Sequence, residues 1–488
     1  MPALAREMLI SHDPDETRVA ILEDDELVEF YVERARRSVV GNVYLGRVKD
    51  VLPGMEAAFV DIGLEKNGFL YVDEIVSPEG VTDLPSRDIA DLLRPGQQVM
   101  VQVTKDPMGT KGARVTTEVS LPGRFVVLMP FSPVVGVSKR LPDEERDRLH
   151  ALITDLAPPG VGIIARTAAA GASERDLATD LDFLSRLWGR VRKQSEAGIA
   201  PETLYTEMDL ALRLVRDVFT DDFKRLVVDD KTVQDKVTAF LKRTQPDLAR
   251  RVARHREEVS LFDFYGLGPQ IDAALKRKVP LASGGHIAID RTEALTAIDV
   301  NTGKFVGRKS LEDTILRTNL EAADAVVQQL RLRDIGGIII IDFIDMAETV
   351  HRDQVFARLN AALERDRTKP RVSEISRLGL VEMTRKNVTD GFWTVLTQTC
   401  PTCTGQGRTL SDPSVRIMVT RRLREILRLG RSTAYLFAVH PSTHEVLTDP
   451  SLNLVAQLQS ESGKAVTLIP DADLGVGEVR VVMEGRRG

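Results

Sequence analysis

The clearest pattern of apolar and polar positions lies between residues 294 and 346. Two short apolar runs, ALTAID and GGIIIID, are typical of strands, and each ends at a carboxylate, Asp299 in the first and Asp342 in the second. Strand, helix and strand in this order predict a parallel crossover, with both carboxylates near the same carboxyl edge of a sheet. The helix is predicted because apolar residues recur at helical spacing at Leu311, Ile315, Leu316, Leu320, Ala323, Val327 and Leu330.

The paired carboxylates suggest a metal site. Two neighbouring carboxylates repel each other unless a cation or a shared proton lies between them. Hard oxygen ligands suit Mg²⁺ or Mn²⁺, which bind one or two carboxylates together with water and a substrate phosphate. Asn301 follows Asp299 by two residues, so it is expected on the same face, where its amide could donate to a phosphate oxygen. The alternative is that each aspartate only caps the helix after its strand; the pairing and Asn301 favour the metal site.

The same residues carry a family resemblance. The segments AIDVNTGKFVG and TNLEAADAVVQQLRLRDIGGIIIIDFIDM resemble the RNase E/G family of bacterial endoribonucleases, and within it the length and ending are more like the ribonuclease G branch than RNase E. The resemblance implies Mg²⁺-dependent cleavage of single-stranded RNA that leaves a 5′-phosphate and a 3′-hydroxyl. It implies catalytic roles for Asp299, Asn301 and Asp342, and substrates that include ribosomal RNA precursors and messenger RNA.

Composition and charge limit the classes of protein to which the chain can belong. A chain of 488 residues is too long for one core, so several domains are expected. The net charge of −6 does not indicate a nucleic-acid binder, so any RNA site must be a local basic patch. No apolar run approaches the roughly 20 residues of a membrane span, and the first residues do not resemble a signal peptide. Two cysteines fit a reducing cytoplasm, which the resemblance also implies.

The pattern and the resemblance together predict a multidomain α/β and α+β protein. Residues 1–37 read as two or three strands, too few to bury their own core, so they must pack against a later segment. The resemblance implies the following division: residues 1–37 and 210–277 as two parts of an RNase H-like domain, 38–118 as an inserted OB-type RNA-binding barrel, 119–209 as a 5′-sensor, 278–397 as a DNase I-like catalytic subdomain, 398–409 as a zinc link, and 410–488 as a small C-terminal α/β domain.

Short strands separated by glycine turns predict the barrel in residues 38–118. The aromatics could instead belong to its core. The resemblance implies that Phe59, Phe69 and Lys111 contact RNA. Exposed aromatic rings would stack on bases and lysines would follow the backbone, and the candidates are Phe59, Phe69, Tyr71, Lys66, Lys105 and Lys111.

Arg166 and Thr167 follow an apolar run and precede an Ala/Gly-rich turn, where a guanidinium, a hydroxyl and backbone N–H groups can form an anion pocket. Alternatively, Thr167 only terminates the strand. The resemblance implies that this pair grips the 5′-monophosphate of RNA and that the backbone of Val127 also contacts it. Lys139-Arg140 stands where relatives can carry two arginines, and lysine lacks the planar fork of arginine.

Cys400 and Cys403 form a C-x-x-C pair, which is half of a tetrahedral zinc site. Three interpretations stay open: two chains share one Zn²⁺, the pair is a redox site, or His440 and His444 complete an intrachain site across an interval longer than the usual 12 to 15 or so residues. The resemblance supports the first, because CPTCTGQG matches the family's zinc link between protomers. It therefore implies a homodimer or homotetramer.

Two other functions compete with the nuclease. A non-catalytic RNA-binding protein would use only the barrel, and a redox protein would use Cys400 and Cys403. A nucleotide hydrolase with a phosphate loop is disfavoured, because Gly303-Lys304 lacks the first glycine of that motif. The long disordered scaffold tail of RNase E is not expected here, so degradosome partners are not expected either.

Overall fold

The computed structural model describes residues 5–34, 38–76, 88–107, 111–303, 311–376, 378–389 and 391–485. The chain forms two compact units, Met1–Leu396 and Thr397–Gly488. In the part of the chain that is described, no helix combines the length and the apolar character needed to span a membrane.

Three antiparallel strands open the chain. Their apolar runs are buried on both faces: Met8 and Ile10 pack into one core, while Leu9 between them packs into another. The hairpin between the second and third strands turns at Asp24 and Asp25, which both have positive φ, as a tight two-residue turn requires. The strands are β1 (Arg6–Asp13), β2 (Glu16–Glu23) and β3 (Glu26–Arg34).

The next strands form a closed barrel. Each pairs with its neighbour in the order β4-β5-β6-β8-β7, and β7 pairs back with β4. This closure confirms the predicted five-stranded barrel and is consistent with an OB-like domain. The elements are β4 (Val43–Leu52), β5 (Ala57–Asp61), β6 (Gly68–Tyr71), α1 (Ile89–Leu92), β7 (Gln98–Lys105) and β8 (Arg114–Thr116).

A four-stranded sheet follows, in the order β11-β12-β10-β9, and a 24-residue helix packs against it. The helix begins with a capping box, in which Ser173 and Asp176 satisfy each other's backbone N–H groups. After this helix, β13 returns to pair with β4 of the barrel. The elements are β9 (Leu121–Pro122), β10 (Val126–Met129), β11 (Val135–Val137), α2 (Asp143–Leu156), β12 (Gly162–Ala165), α3 (Glu174–Ala197) and β13 (Glu202–Tyr205).

The following segment completes the sheet that the first strands began. Strand β14 pairs in parallel with β1, which gives the order β15-β14-β1-β2-β3. The beginning of the chain is therefore covered by residues about two hundred positions later. The elements are α4 (Leu210–Val218), β14 (Phe223–Val228), α5 (Lys231–Thr244), α6 (Pro246–Ala249), β15 (Val252–Arg254), α7 (Leu261–Phe264) and α8 (Gly268–Leu275).

A six-stranded sheet, in the order β16-β17-β18-β19-β21-β20, contains the two apolar runs that end in aspartate. Strands β18 and β19 are parallel and α9 connects them, which confirms the predicted crossover. Ala322, Ala323, Val326 and Leu330 of α9 are buried against the sheet. The elements are β16 (Lys278–Pro280), β17 (His286–Arg291), β18 (Leu295–Asn301), α9 (Leu311–Leu332), β19 (Gly337–Asp342), α10 (Thr349–Leu363), β20 (Arg371–Val372), β21 (Leu380–Arg385) and α11 (Phe392–Leu396).

The second unit contains a small α/β fold with strand order β23-β22-β24. The sequence predicted a small α/β domain in residues 410–488, with one helix followed by two or three strands. It did not predict the two helices between the strands, which are short and carry little periodic signal. The elements are α12 (Asp412–Leu429), β22 (Ala434–Val439), α13 (Pro441–Leu447), α14 (Leu454–Ser462), β23 (Ala465–Pro470) and β24 (Val479–Gly485).

Candidate catalytic and RNA-binding sites

Asp299 and Asp342 are register partners at the carboxyl ends of the parallel strands β18 and β19. Alternation along the strands positions them: Ile298 and Ile341 point into the core, and the two aspartates are exposed. Neighbouring strands are about 4.8 Å apart, so the two carboxylates stand side by side at one edge of the sheet. The sequence predicted this juxtaposition from the crossover alone.

The electrostatics of this edge favour a bound cation. Partial burial, followed by repulsion from Asp299 and Asp345, raises the pKa of the Asp342 carboxyl above its usual value. A divalent cation between the carboxylates would remove that repulsion. Asn301 lies on the same face of β18 as predicted, and its Nδ2 donates to Asp299 Oδ2 at 2.7 Å. In this structure the amide therefore orients Asp299.

Helix capping does not account for Asp342. Helix α10 begins after Glu348, whose side chain makes no capping hydrogen bond, and Asp342 lies six residues earlier, at the end of a strand. In the described ranges, no group of three or more His, Cys, Asp or Glu side chains is arranged to hold a metal ion. Mg²⁺ needs fewer protein ligands than that, since it keeps several waters. The pair of oxygen ligands fits such an ion. Lys304 lies outside the described residues.

Phe59 and Phe69 lie on the outer surface of the barrel. They are register partners on β5 and β6, and their ring centroids are 5.9 Å apart in an edge-to-face arrangement. Both are half-buried, whereas Val60 and Leu70 beside them fill the barrel core. The interpretation that these two rings belong to the core is therefore wrong.

The basic candidates of the barrel lie near these rings. Lys111 is exposed, and it precedes Ala113, whose carbonyl accepts the backbone N–H of Phe69 at 2.7 Å. Lys105 is exposed at the end of β7, and Lys66 is half-buried. Tyr71 is half-buried and bonded through its hydroxyl to Glu56 at 3.2 Å. Phe59, Phe69, Lys105 and Lys111 are thus at least partly exposed on the barrel, whereas Tyr71 also packs against the barrel core.

Arg166 and Thr167 follow β12, and Val127 lies on the adjacent strand β10. The backbone N–H of Arg166 donates to Phe125 O at 2.7 Å, which joins the two segments. Thr167 is exposed, and its hydroxyl lies 3.0 Å from that of Ser138. Lys139 and Arg140 come directly after Ser138 and are exposed. Val127, Arg166 and Thr167 therefore lie on adjacent strands and the turn that follows them, with Thr167 and Ser138 in hydrogen-bond contact.

The carboxylate that binds Arg166 was not predicted from the sequence. Arg166 Nη1 donates to Asp217 Oδ1 at 2.7 Å, and Arg216 donates to the same carboxylate from the other side at 3.0 Å. The ion pair holds the partly exposed Arg166 guanidinium against Asp217. Asp217 is 51 positions away in the sequence, and no local pattern links the two residues.

Cys400 and Cys403 are free thiols in a turn that precedes α12 in the second unit. Hydrogen bonds from the backbone N–H groups of Cys403 and Thr402 lower the pKa of the Cys400 thiol, which favours the thiolate that metals bind. The intrachain zinc interpretation is wrong for the residues that the structure describes, because His440 and His444 do not join the cysteines in a metal-binding group. His440 instead caps α13, with Nδ1 accepting from the Ser442 N–H.

Comparison with known proteins identifies the family. A model of the Ribonuclease E/G family matches residues 120–388. Ribonuclease G of Escherichia coli strain K12 is 42% identical over 471 residues, which cover 95% of this chain and 96% of that protein. Ribonuclease G of Haemophilus influenzae is 41% identical over 471 residues. Ribonuclease E of the same organism is 36% identical over 472 residues, which cover 96% of this chain and 49% of that protein. The chain therefore belongs to the ribonuclease E/G family, a family of endoribonucleases.

Proposed function

We propose that this endoribonuclease cuts single-stranded RNA by metal-dependent hydrolysis and that Asp299 and Asp342 hold a Mg²⁺ ion. The observation that carries the proposal is the register pairing of the two exposed aspartates at one sheet edge. When bound there, Mg²⁺ would polarise the scissile phosphate and lower the pKa of a water molecule. Asn301 restrains Asp299 through its 2.7 Å hydrogen bond. Hydrolysis of the bond to the 3′-oxygen leaves a 3′-hydroxyl and a 5′-phosphate.

The products test this reaction. A short unstructured RNA is incubated with the full chain and Mg²⁺, and the new ends are identified by mass spectrometry. Products with 5′-phosphate and 3′-hydroxyl ends are expected. A 2′,3′-cyclic phosphate would contradict direct hydrolysis, because it would show that the RNA 2′-hydroxyl is the nucleophile. RNA that is bound and never cut would favour the rival function, a non-catalytic RNA-binding protein that uses the barrel.

We further propose that the barrel binds the RNA strand through Phe59, Phe69 and Lys111. Base stacking on an aromatic ring contributes about 1–3 kcal/mol per base. We therefore expect Phe59→Ala to weaken binding of a short single-stranded RNA by about ten-fold, measured by fluorescence anisotropy in EDTA. Phe264→Ala removes an exposed phenylalanine outside the barrel and should have little effect. Equal binding by both variants would exclude the ring as an RNA contact.

For the 5′-sensor, we propose that Arg166, Thr167 and the Val127 backbone bind a 5′-monophosphate. A hydrogen bond to a charged group contributes about 1.5–3 kcal/mol. Thr167→Val should therefore slow cleavage of 5′-monophosphorylated RNA by about ten-fold and leave 5′-hydroxyl RNA unaffected. Thr154→Val removes another exposed threonine hydroxyl and serves as the control. The same slowing for both RNA ends would remove Thr167 from 5′-end recognition.

We propose that Cys400 and Cys403 share one Zn²⁺ with the same pair of a second chain, which makes the active species a homodimer or homotetramer. The lowered pKa of Cys400 supports thiolate ligation. Metal analysis should find about one zinc per two chains, and Cys400→Ser should lose the zinc and shift the mass in solution towards the monomer. A variant that loses its zinc and remains a dimer would contradict the link, and a disulfide with no zinc would favour the redox alternative.

The domain division, the substrates and the cellular site are part of the same proposal. The sheet β15-β14-β1-β2-β3 supports an RNase H-like domain built from residues 1–37 and 210–277, and residues 278–397 are assigned to the DNase I-like subdomain.

Ribosomal RNA precursors and messenger RNA are proposed as substrates in the cytoplasm, where free cysteines persist. Depletion of the protein should cause unprocessed ribosomal RNA precursors to accumulate in cells. Unchanged precursors would argue against that role.

A further inference from the structure

A basic cleft of about 680 Å³ lies between α3, the end of α5 and the turn that joins β9 to β10. Neither the two carboxylates Asp299 and Asp342 nor Arg166 and Thr167 belong to its lining. Arg166 adjoins the cleft, because its Nη1 donates to the carbonyl of Gly123, the residue before Arg124. Guanidinium groups and aromatic rings line the cleft, and they belong to Arg124, Phe125, Phe183, Arg186, Arg190 and Arg243.

Arg124 is the least satisfied cation of the cleft. It is 6% exposed, and Nη1 donates to the carbonyl of Phe219 at 2.9 Å. Nε is buried without a hydrogen-bond partner, and among the described residues Asp221, Asp180 and Asp217 act on Arg124 electrostatically without forming a direct ion pair with it. Burial lowers the pKa of Arg124 to about 10, which leaves it charged at neutral pH. A buried charge without a direct counter-ion is costly, and an anionic ligand would offset that cost.

Asp176 and Asp180 also line the cleft and offset part of the charge of its four arginines, and both accept hydrogen bonds from neutral groups. Asp176 completes the capping box with Ser173. Asp180 accepts the backbone N–H groups of Arg124, Phe125 and Val126 at 3.2, 2.8 and 3.1 Å.

The exposed arginines differ in their pairing. Asp182 pairs with Arg186. Arg190 and Arg243 are exposed and form no ion pair with any residue that the structure describes. The cleft therefore has an unneutralised positive charge.

The aromatic rings of the cleft indicate which chemical group the ligand carries besides an anion. The Arg243 guanidinium lies 5.9 Å from the centroid of Phe183, and the Arg124 guanidinium lies 5.4 Å from that of Phe125. Phe183 is half-buried, so part of its ring faces the cleft. Arginines recognise phosphate, and aromatic rings accept a stacked base. We propose that this cleft is a nucleotide-binding site, in which Arg124, Arg190 and Arg243 bind a phosphate and Phe183 packs against the base.

The test uses the full chain in EDTA, so that catalysis does not enter the result. The probes are a 3′-labelled uridine hexanucleotide with a 5′-hydroxyl and free adenosine monophosphate. The double variant Arg190→Gln/Arg243→Gln removes two exposed charges of the cleft. The matched control, Arg192→Gln/Lys193→Gln, removes two exposed charges from α3 that lie outside the cleft lining. Phe183→Leu, which keeps an apolar side chain, tests the base contact.

We expect the cleft variant to bind at least one probe about ten-fold more weakly than the control. For RNA, the slope of log affinity against log salt should fall by about 0.7 for each phosphate that the variant no longer neutralises. If adenosine monophosphate displaces RNA from the control and not from the cleft variant, a free nucleotide is an occupant of the cleft, because binding at Arg166 and Thr167 would be common to both proteins. Weakened RNA binding by the cleft variant without this difference would identify an RNA strand. If the cleft and control variants bind both probes equally, the proposal is overturned. These outcomes are independent of cleavage, so they separate this site from the proposed nuclease site.

Discussion

Replacing Asp299 or Asp342 by asparagine is expected to slow RNA cleavage by roughly 10³-fold or more, since metal ligation stabilises the transition state by several kcal/mol and each 1.36 kcal/mol is ten-fold in rate. The two side chains are register partners and stand at the open edge of the sheet. Asparagine keeps their shape and removes the charge that would hold Mg²⁺. Either substitution should therefore be sufficient to lose the reaction.

RNA binding separates this effect from misfolding. In EDTA, neutralising either carboxylate removes a negative charge close to the RNA phosphates, so affinity should stay the same or rise. Asp272→Asn is the matched control, because Asp272 is an exposed aspartate on α8, outside the six-stranded sheet that contains Asp299 and Asp342. Its cleavage rate should stay within about two-fold, as expected for an exposed surface charge. Normal cleavage by Asp299→Asn or Asp342→Asn would refute the assignment of that residue.

The largest loss of stability is expected for Arg385→Leu. Arg385 donates from Nε to Asp366 Oδ2 at 2.7 Å and from Nη1 to Asp334 Oδ1 at 3.1 Å. The Arg385 side chain is 3% exposed and each aspartate is 1% exposed. Without the guanidinium, two buried carboxylates lose their cation, which is expected to lower the free energy of unfolding by about 3–5 kcal/mol. Urea denaturation of the full chain measures this free energy of unfolding.

An exposed pair of similar geometry provides the control. Arg358 binds Asp324 with both side chains about half exposed, so Arg358→Leu should lower the free energy of unfolding by no more than about 1 kcal/mol. Adding Asp366→Asn to Arg385→Leu should recover part of the loss, because it removes one of the uncompensated charges. Equal losses for Arg385→Leu and Arg358→Leu would contradict the argument from burial.

The same ion pair predicts a pH dependence. Burial alone would raise the pKa of Asp366, but Arg385 outweighs it and holds the pKa below its usual value. A carboxyl whose pKa is lowered by folding stabilises the protein above its unfolded pKa, near 3.9, and loses this contribution as the pH falls through its folded value. The difference in stability between the wild type and Arg385→Leu should therefore be larger near neutral pH than in acidic solution, where Asp366 becomes protonated.

The sheet edge with Asp299 and Asp342 could be predicted from the sequence because the pattern that indicates it is local. Each strand is an apolar run that ends at an aspartate, and the helix between Asp299 and Asp342 has clear periodicity. Parallel connection then dictates that the strand ends meet. The barrel was predicted for a similar reason, since alternation and glycine turns define its strands. Alternation alone did not decide whether Phe59 and Phe69 point outward or into the core. The register of β5 and β6 shows that they point outward.

The remaining features depend on contacts between distant segments. Asp217 binds Arg166 across 51 positions, and Asp180 binds the turn at Arg124 from a different element. Neither residue belongs to a motif that would have singled it out. The sheet that joins β1 to β14 has the same character, because its pairing is set by long-range packing of apolar runs. Local periodicity predicts elements, and it does not predict such partners.

The most direct test of the central claim is cleavage of a short unstructured RNA as Mg²⁺ is titrated, with the wild type and Asp342→Asn measured side by side. We predict that the wild type does not cut in EDTA, that cutting saturates as Mg²⁺ is added, and that Asp342→Asn cuts at least about 10³-fold more slowly at saturation. Cleavage by the wild type in EDTA, or an unchanged rate for Asp342→Asn, would contradict the account of a metal-dependent carboxylate site.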